Sequence, residues 1–373
     1  MIDTFSASGF KCFSKATVFN FSRLNLLTGY NGRGKSSVLQ ALLLLSQSIK
    51  KNGDLDVLSP QGCFVKLGSF FDILSDQRKT MNFHFHCSEG DVELQYSSTF
   101  DNSWNGEITS LKIDGTEYFE KPSDLSSNTS SSNKSKKIIN SSYPKDFFKS
   151  LNNFHYISAD RLGPTPYEEK EEITGDNPLG CHGEHRLNIL ASDNSLKSRI
   201  AEILEYIMDG GRMSLVGSDD KNEVISSYFS FNKFSKDIKS INVGYGYSYI
   251  LPIIVLSQTI CDGAIFIENP EAHLHPIAQS RLMQVLCSIP KDRNVQFFIE
   301  THSEHILNAV RLACLKEEMP ISNEETQIYF FDKDFSIKKL NIDEDGQIPN
   351  WPYGFFDQTE RDIAEILKRG MFK

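Results

Sequence analysis

The sequence predicts an α/β fold with a mixed or parallel core sheet, an antiparallel β subdomain and a helical lobe, on three observations. Continuous apolar runs at 264–267 and 295–299 flank a helical stretch at about 276–288, the pattern of buried parallel strands joined by a crossover helix. Over 64–120 apolar and polar residues alternate instead, as in 81–86, 92–96 and 107–113, the period of half-buried antiparallel strands. Leu187, Leu190, Ile200, Ile203, Leu204 and Ile207 recur at helical spacing before a break at Gly210 and Gly211, which predicts the helical lobe.

Taken in order, residues 1–23 pair apolar positions in short runs (Ile2, Phe5; Phe10, Cys12; Val18, Phe19, Phe21), predicting short strands. Leu24, Leu26 and Leu27 form a short apolar strand and 37–49 an apolar helix. Between them Gly29, Tyr30, Asn31, Gly32, Arg33, Gly34, Lys35, Ser36 and Ser37 match the phosphate-loop pattern of Gly, four residues, Gly, Lys, Ser. The glycines let the chain turn tightly and aim its N–H groups at phosphate oxygens, helped by the helix N-terminus. Lys35 then reaches the β- and γ-phosphates, and the Ser36 hydroxyl holds Mg²⁺. A nucleoside triphosphate is the predicted ligand.

Residues 121–144 collapse into Ser, Asn and Lys and read as a flexible surface loop too polar to order itself; its lysines leave contact with a phosphate backbone open. A hairpin is expected at about 213–232, a glycine-containing segment at 243–249 and a helix through Leu256. A second hairpin joins 328–331 to 337–340, with Asp332, Lys333 and Asp334 as its turn. No heptad run follows the phosphate loop, which excludes long coiled-coil arms.

Hydrophobic residues at 39% and aromatics at 11% support a buried core, and no apolar run approaches the ~20 residues that span a bilayer. The seven cysteines never form a C-x-x-C pair, which argues against a disulfide framework or a zinc site. A cytoplasmic protein without a membrane partner is expected. The net charge of −10 disfavours a general basic coat for nucleic acid, although a local patch stays open.

Glu268 ends the 264–267 run, the position from which phosphate-loop enzymes bind Mg²⁺; the alternative is an acid that caps the next helix. His302 follows the next apolar run. Adjacent parallel strands lie about 4.8 Å apart, so His302 and Glu268 can approach one γ-phosphate, against the alternative of a structural histidine. His273 and His275 form a His-x-His for which no third metal ligand is placed.

In this order the motifs resemble the ABC-type ATPases of the SMC, RecF and overcoming-lysogeny-defect group. The run from Ile267 to Pro276 and the final 351–358 segment (WPYGFFDQ) are most similar to bacterial DUF3696 AAA-family ATPases. The resemblance implies a single ABC-type ATPase domain over 1–373. Residues 1–120 and 250–373 would form its nucleotide-binding lobe and 145–249 its helical and signature lobe. It implies that Gly244, Gly246 and Ser248 stand in the signature segment, which in a head-to-tail homodimer caps the partner's γ-phosphate; an ordinary turn and cap is the alternative. Most ABC ATPases have a glutamate directly after the Mg²⁺ acid. Here that position is Asn269, an amide that cannot take a proton at neutral pH. Catalysis would then use Glu271 with Asn269 orienting the water, or be slow enough to make the protein a switch.

Arg161 matches an Arg-Leu-Gly-Pro-like segment of the family and is expected to reach phosphate or the dimer interface, unless it is a surface arginine before a turn. Too few residues follow His302 for an appended Toprim nuclease domain. The resemblance therefore implies Mg²⁺-dependent conversion of ATP and water to ADP and phosphate. It also implies a dimeric switch on double-stranded DNA or nucleoprotein, in genome maintenance or antiviral phage defence, with a separate effector protein. The alternative is a nucleotide-sensing protein that docks on or regulates a partner enzyme without nucleic acid.

Overall fold

From the N-terminus come β1 (Ile2–Ser8), β2 (Thr17–Asn20), β3 (Leu24–Gly29), α1 (Lys35–Asn52), β4 (Val57–Leu58), β5 (Thr80–Cys87), β6 (Gly90–Ser97), β7 (Gly106–Ile113), β8 (Thr116–Glu120) and α2 (Lys149–Asn152). There follow β9 (Phe154–Ile157), β10 (Glu168–Glu169), α3 (Arg186–Ser192), α4 (Asn194–Met208), β11 (Arg212–Val216), β12 (Val224–Ser230) and β13 (Ile238–Lys239). The chain closes with α5 (Tyr245–Thr259), β14 (Asp262–Glu268), α6 (Pro276–Cys287), β15 (Asn294–Glu300), α7 (Glu304–Cys314), β16 (Thr326–Phe331), β17 (Ile337–Leu340) and α8 (Gln358–Met371). This computed structural model describes residues 1–76, 78–98, 104–120, 148–173, 177–219 and 222–371; the Ser/Asn/Lys stretch at 121–144 lies outside them. Two units result, one of Met1–Phe21 and Ser36–Phe154, the other of Ser22–Lys35 and His155–Lys373.

In the first unit the alternating segments become an antiparallel seven-stranded sheet in the order β2-β1-β5-β6-β7-β4, with β8 paired to β7. Alternation decides the faces: Met81, Phe83 and Phe85 of β5 and Val92, Leu94 and Tyr96 of β6 are buried, while their neighbours turn outward. Phe5 stacks on Phe83 at 6.0 Å and Tyr96 meets Phe83 edge-on at 6.3 Å. The buried Gln47 of α1 is satisfied, donating to Ser59 O and accepting from the N–H groups of Phe64 and Val65. α1 opens earlier than the apolar pattern alone indicates, because the phosphate loop winds directly into its first turn at Lys35.

The second unit is built on a six-stranded sheet in the order β17-β16-β3-β15-β14-β9. β16, β3, β15 and β14 run parallel and β17 antiparallel, so the core sheet is mixed. β15 and β16 are buried almost along their whole length, as strands covered on both faces must be. Phe266 stacks on Phe298 across β14 and β15 at 4.6 Å. A smaller sheet, β10-β12-β11 with β13 on β12, accompanies the helices α3 to α5, where Tyr247 packs on Phe229 with ring centroids 4.7 Å apart.

The stretch with helical spacing is two helices. Asp193 interrupts it, its carboxylate accepting from the N–H groups of Ser195 (2.8 Å) and Leu196 (3.0 Å) and so starting α4. Asp209, in the left-handed conformation at φ 60°, ends that helix one residue before Gly210.

Candidate functional site

Strand register brings the chemistry to one edge of the core sheet. Glu268 lies opposite Glu300, Glu300 opposite Leu27, and Gly29 opposite Phe331. The carboxyl ends of β14, β15, β3 and β16 therefore finish together, where α/β sheets bind ligands.

The phosphate loop leaves β3 with Gly29, Gly32 and Gly34 at φ 125°, 68° and 105°, values that L side chains rarely adopt. A Cβ at Gly29 would stand 2.3 Å from Phe331 O, so glycine also permits β3 and β16 to close up. Asn31 and Gly32 are exposed, and Arg33 and Gly34 half-buried. The Arg33 side chain is tied to the β16–β17 turn: its Nε donates to Lys333 O at 2.9 Å and its guanidinium lies 4.5 Å from the Phe335 ring centroid. Lys35 is only 3% exposed, and its ammonium donates to Gly29 O at 3.1 Å and Tyr30 O at 2.9 Å. Burial lowers its pKa and the Glu300 carboxylate opposes that. Ser36 and Ser37 follow in the first turn of α1, both half-buried, and begin the other unit.

Glu268 ends β14 half-buried. Its Oε2 accepts from the Ala159 N–H at 3.4 Å, and it shares a hydrogen bond with the buried Tyr156. Burial first, and then the Glu268 charge, push the Tyr156 hydroxyl pKa upward, so that group stays protonated. Asn269 is left-handed at φ 43°, a conformation in which asparagine is enriched among non-glycine residues. Its Oδ1 is buried with no hydrogen-bond partner among the described residues, while its N–H donates to Glu300 O at 2.9 Å.

Arg161 is not the surface arginine that its place before a turn allowed. It is 3% exposed and turned inward, with Nη1 donating to Glu268 O at 2.8 Å and Ser158 O at 3.2 Å and Nη2 donating to Asn269 O at 2.6 Å. Its guanidinium also stacks 5.3 Å from the Tyr249 ring centroid. Unpaired carbonyls at the end of a buried strand need such a donor, and the planar guanidinium serves all of them at once.

The Glu271 carboxylate accepts from Thr301 Oγ1 at 2.8 Å and from the His302 N–H at 2.7 Å, clamping the loop after β15. His302 itself is exposed. Partial burial of its ring and the nearby Lys35 ammonium depress its pKa below the ordinary histidine value, opposed by Glu271. A group titrating below about 6.5 is neutral at pH 7. In the nucleotide-free protein, an NMR titration of His302 is expected to give a pKa below that of a model histidine, and a bound polyphosphate is expected to raise it. A nucleotide-free value at or above the model value would contradict this placement.

Of the signature-segment residues, Gly244 is exposed and precedes α5, whereas Gly246 and Ser248 are buried. A Cβ at Gly246 would stand 2.9 Å from His273 O, so the glycine lets α5 seat against the loop after β14. No hydrogen bond joins this segment to the phosphate loop among the described residues. His273 packs edge-on against Tyr249 at 4.5 Å, and His275 caps α6 by accepting from the Ile277 N–H, so the His-x-His pair has local structural work. Asp332 receives Lys338 at 2.7 Å in the β16–β17 hairpin.

Two contributors escaped the sequence reading. Glu300 is 6% exposed beside Lys35; its signal was its place in the same strand-end run as His302. Residues 354–358 and Arg361 line a cavity of about 280 Å³ together with Thr28, Gly29, Tyr30, His302 and Phe330. Nothing in their local pattern announces that neighbourhood.

The residues fit magnesium and a polyphosphate. The Glu268 carboxylate offers the hard oxygen that Mg²⁺ prefers. The space at Gly32 is open, with nothing within 4 Å of a Cβ there. Among the described residues Asn269 Oδ1 has no partner, which leaves it able to accept from a water.

Among the described residues no helix is long and apolar enough to cross a membrane. No curated protein matches the sequence. The fold is similar to the crystal structure of an SMC head bound to the C-terminal winged-helix domain of ScpA. That match has 12% identity over 91% of this chain and 97% of that one, at a TM-score of 0.52. It is also similar to an Smc head domain with an extended coiled coil, bound to the C-terminal domain of ScpA and derived from Pyrococcus furiosus. There the identity is 11% over 98% and 99% of the two chains, at a TM-score of 0.51. Such likeness speaks for the fold, that of an SMC head domain. Residues 321–366 match "Protein of unknown function (DUF3696)", and residues 24–308, which contain the phosphate loop, Glu268 and His302, match "AAA domain, putative AbiEii toxin, Type IV TA system". The chain belongs to this AAA-domain family.

Proposed function

We propose that the protein is a Mg²⁺-dependent ATPase that converts ATP and water to ADP and phosphate slowly, at composite sites of a homodimer. The observation that carries this reading is the convergence of the Gly29–Lys35 loop, Glu268 and His302 on one sheet edge, with the Lys35 ammonium held by loop carbonyls. Phosphate oxygens would replace those carbonyls. The loop backbone from Asn31 to Ser37 supplies the N–H cradle.

Ser36 and Glu268 are the residues that would hold Mg²⁺, which when bound neutralises charge developing on the phosphates. His302 offers a hydrogen bond to the γ-phosphate. Asn269 can orient a water but not deprotonate it. Glu271 is the remaining base, and both its oxygens already accept hydrogen bonds, which supports slow turnover. Gly244, exposed at the start of α5, is the part of the signature segment placed to meet a partner's nucleotide. Gly246 and Ser248 would shape that turn from within. Glu268→Gln is expected to lower turnover ~100-fold or more while leaving ATP binding measurable. Turnover within threefold of wild type would remove Glu268 from the metal site.

ATP binding would join two heads and hydrolysis release them, a two-state switch acting on double-stranded DNA or nucleoprotein and read by a separate effector. The family description, which names a toxin of a toxin–antitoxin system, supports a defence module of more than one protein. The neighbouring SMC head carries ScpA in its structure, which supports a separate partner. The charge of −10 favours the second reading, a nucleotide-sensing head that docks on a protein without nucleic acid. ATP turnover with and without double-stranded DNA at two salt concentrations separates them. Salt-sensitive stimulation supports DNA engagement, and an unchanged rate supports protein docking.

A further inference from the structure

The outward face of the β5–β6 pair, in the first unit, carries a cluster that the nucleotide chemistry does not use. Strand alternation turns Phe83 and Phe85 into the core and therefore His84 and His86 outward; on β6, Asp91 and Glu93 turn outward for the same reason. The register sets His84 opposite Glu93 and His86 opposite Asp91. Two imidazoles and two carboxylates thus occupy the corners of one rectangle on a short hairpin.

Distances within it are those of a nearly assembled coordination sphere. His84 Nε2 lies 2.7 Å from Asp91 Oδ1, and His86 Nδ1 lies 3.8 Å from the same oxygen. The ligand atoms of His84, Asp91 and Glu93 all lie within 4.8 Å of one another. Tetrahedral zinc with bonds of about 2.0–2.1 Å places neighbouring ligand atoms ~3.3 Å apart. Side-chain rotation alone supplies the difference, because the antiparallel ladder already fixes both strands.

The geometry points to a divalent transition-metal site formed by His84, Asp91 and Glu93, with His86 as fourth ligand. Imidazole nitrogen with carboxylate oxygen suits Zn²⁺ and its neighbours in the first transition row, whereas Mg²⁺ and Ca²⁺ prefer oxygen alone. Lys112 stands opposite Glu93 on β7 and is the charge with which the ion competes. A bound ion would cross-link β5 and β6. The site is independent of nucleotide and of the ATPase reading.

The test is Zn²⁺ binding to the metal-stripped full chain without nucleotide, by competition with a chromophoric chelator, and Co²⁺ absorption as a report on geometry. Saturable binding of one ion per chain is expected, with a Co²⁺ spectrum of low coordination number. Affinity should fall at least ~10-fold in His84→Ala, in Glu93→Gln and in His86→Gln, and an unchanged His86→Gln would overturn the fourth-ligand assignment. A His273→Ala, His275→Ala double variant should keep the site. Should His84→Ala misfold by circular dichroism, the exposed Glu93→Gln carries the test. Unchanged affinity in folded His84→Ala or Glu93→Gln, loss of the ion in the double variant instead, or a six-coordinate aqua-like Co²⁺ spectrum would overturn the assignment.

Discussion

Lys35→Ala is expected to abolish productive ATP binding: affinity falls ~100-fold or more and turnover drops to background. The reason lies in where the ammonium sits. Lys35 is buried with its charge held by the Gly29 and Tyr30 carbonyls and faced by Glu300, so it is a charge held in place where a polyphosphate would enter. Alanine leaves the incoming phosphate charge without its nearest cation in a partly desolvated loop, where charge-assisted hydrogen bonds are strongest. Thermal shift gives a readout independent of catalysis. MgATP at one hundred times the wild-type Kd stabilises wild type by about 2.7 kcal/mol and a 100-fold weaker binder by at most ~0.4 kcal/mol; wild type should show a clear ligand-dependent rise in melting temperature and Lys35→Ala little or none. A variant that still bound and hydrolysed ATP normally would sink the nucleotide reading altogether.

Arg161→Ala should be among the most destabilising single changes near the site, costing about 3 kcal/mol. The substitution strips donors from the carbonyls of Ser158, Glu268 and Asn269 and removes the stack on Tyr249. Burial pulls the arginine pKa down to about 10, still well above neutrality, so these are charge-assisted bonds at working pH. The backbone they hold includes the left-handed Asn269 and the end of the Glu268 strand. Turnover should therefore fall with stability, although Arg161 need touch no nucleotide. Arg161→Lys keeps the charge and loses the planar fork, so it should recover only part of both. Chemical denaturation followed beside ATP turnover is the measurement. A midpoint unchanged within ~0.5 kcal/mol would show that the turn holds itself.

How much of this was legible beforehand depends on the range of the interaction. The phosphate loop is local: glycine spacing, the preceding apolar strand and the following helix carry the whole argument, and Gly29, Gly32 and Gly34 do adopt the conformations that spacing demands. The parallel strands were legible because burial on both faces leaves continuous apolar runs, and the antiparallel sheet because one solvated face leaves alternation. Even the split at Asp193 had a local signal, a helix-capping aspartate, which the apolar period overrode.

Contacts between distant segments left no comparable trace. Arg161 read as an arginine before a turn, since nothing near it in the chain says that the carbonyls of Glu268 and Asn269 need donors. Glu271 read as a candidate for catalysis, with no sign that Thr301 and His302 occupy it, and Ser248 as a signature-segment contact, with no sign that α5 buries it. His84 and His86 read only as alternating strand residues, because a metal-ligand set made by cross-strand register has no spacing along the chain. By itself the sequence determined the strands, the helices and the phosphate loop, whose requirements are met by residues adjacent in the chain. Which side chains meet at the sheet edge, and which are spent holding it, only the tertiary structure decided, because pairing and burial depend on partners that sequence separation hides.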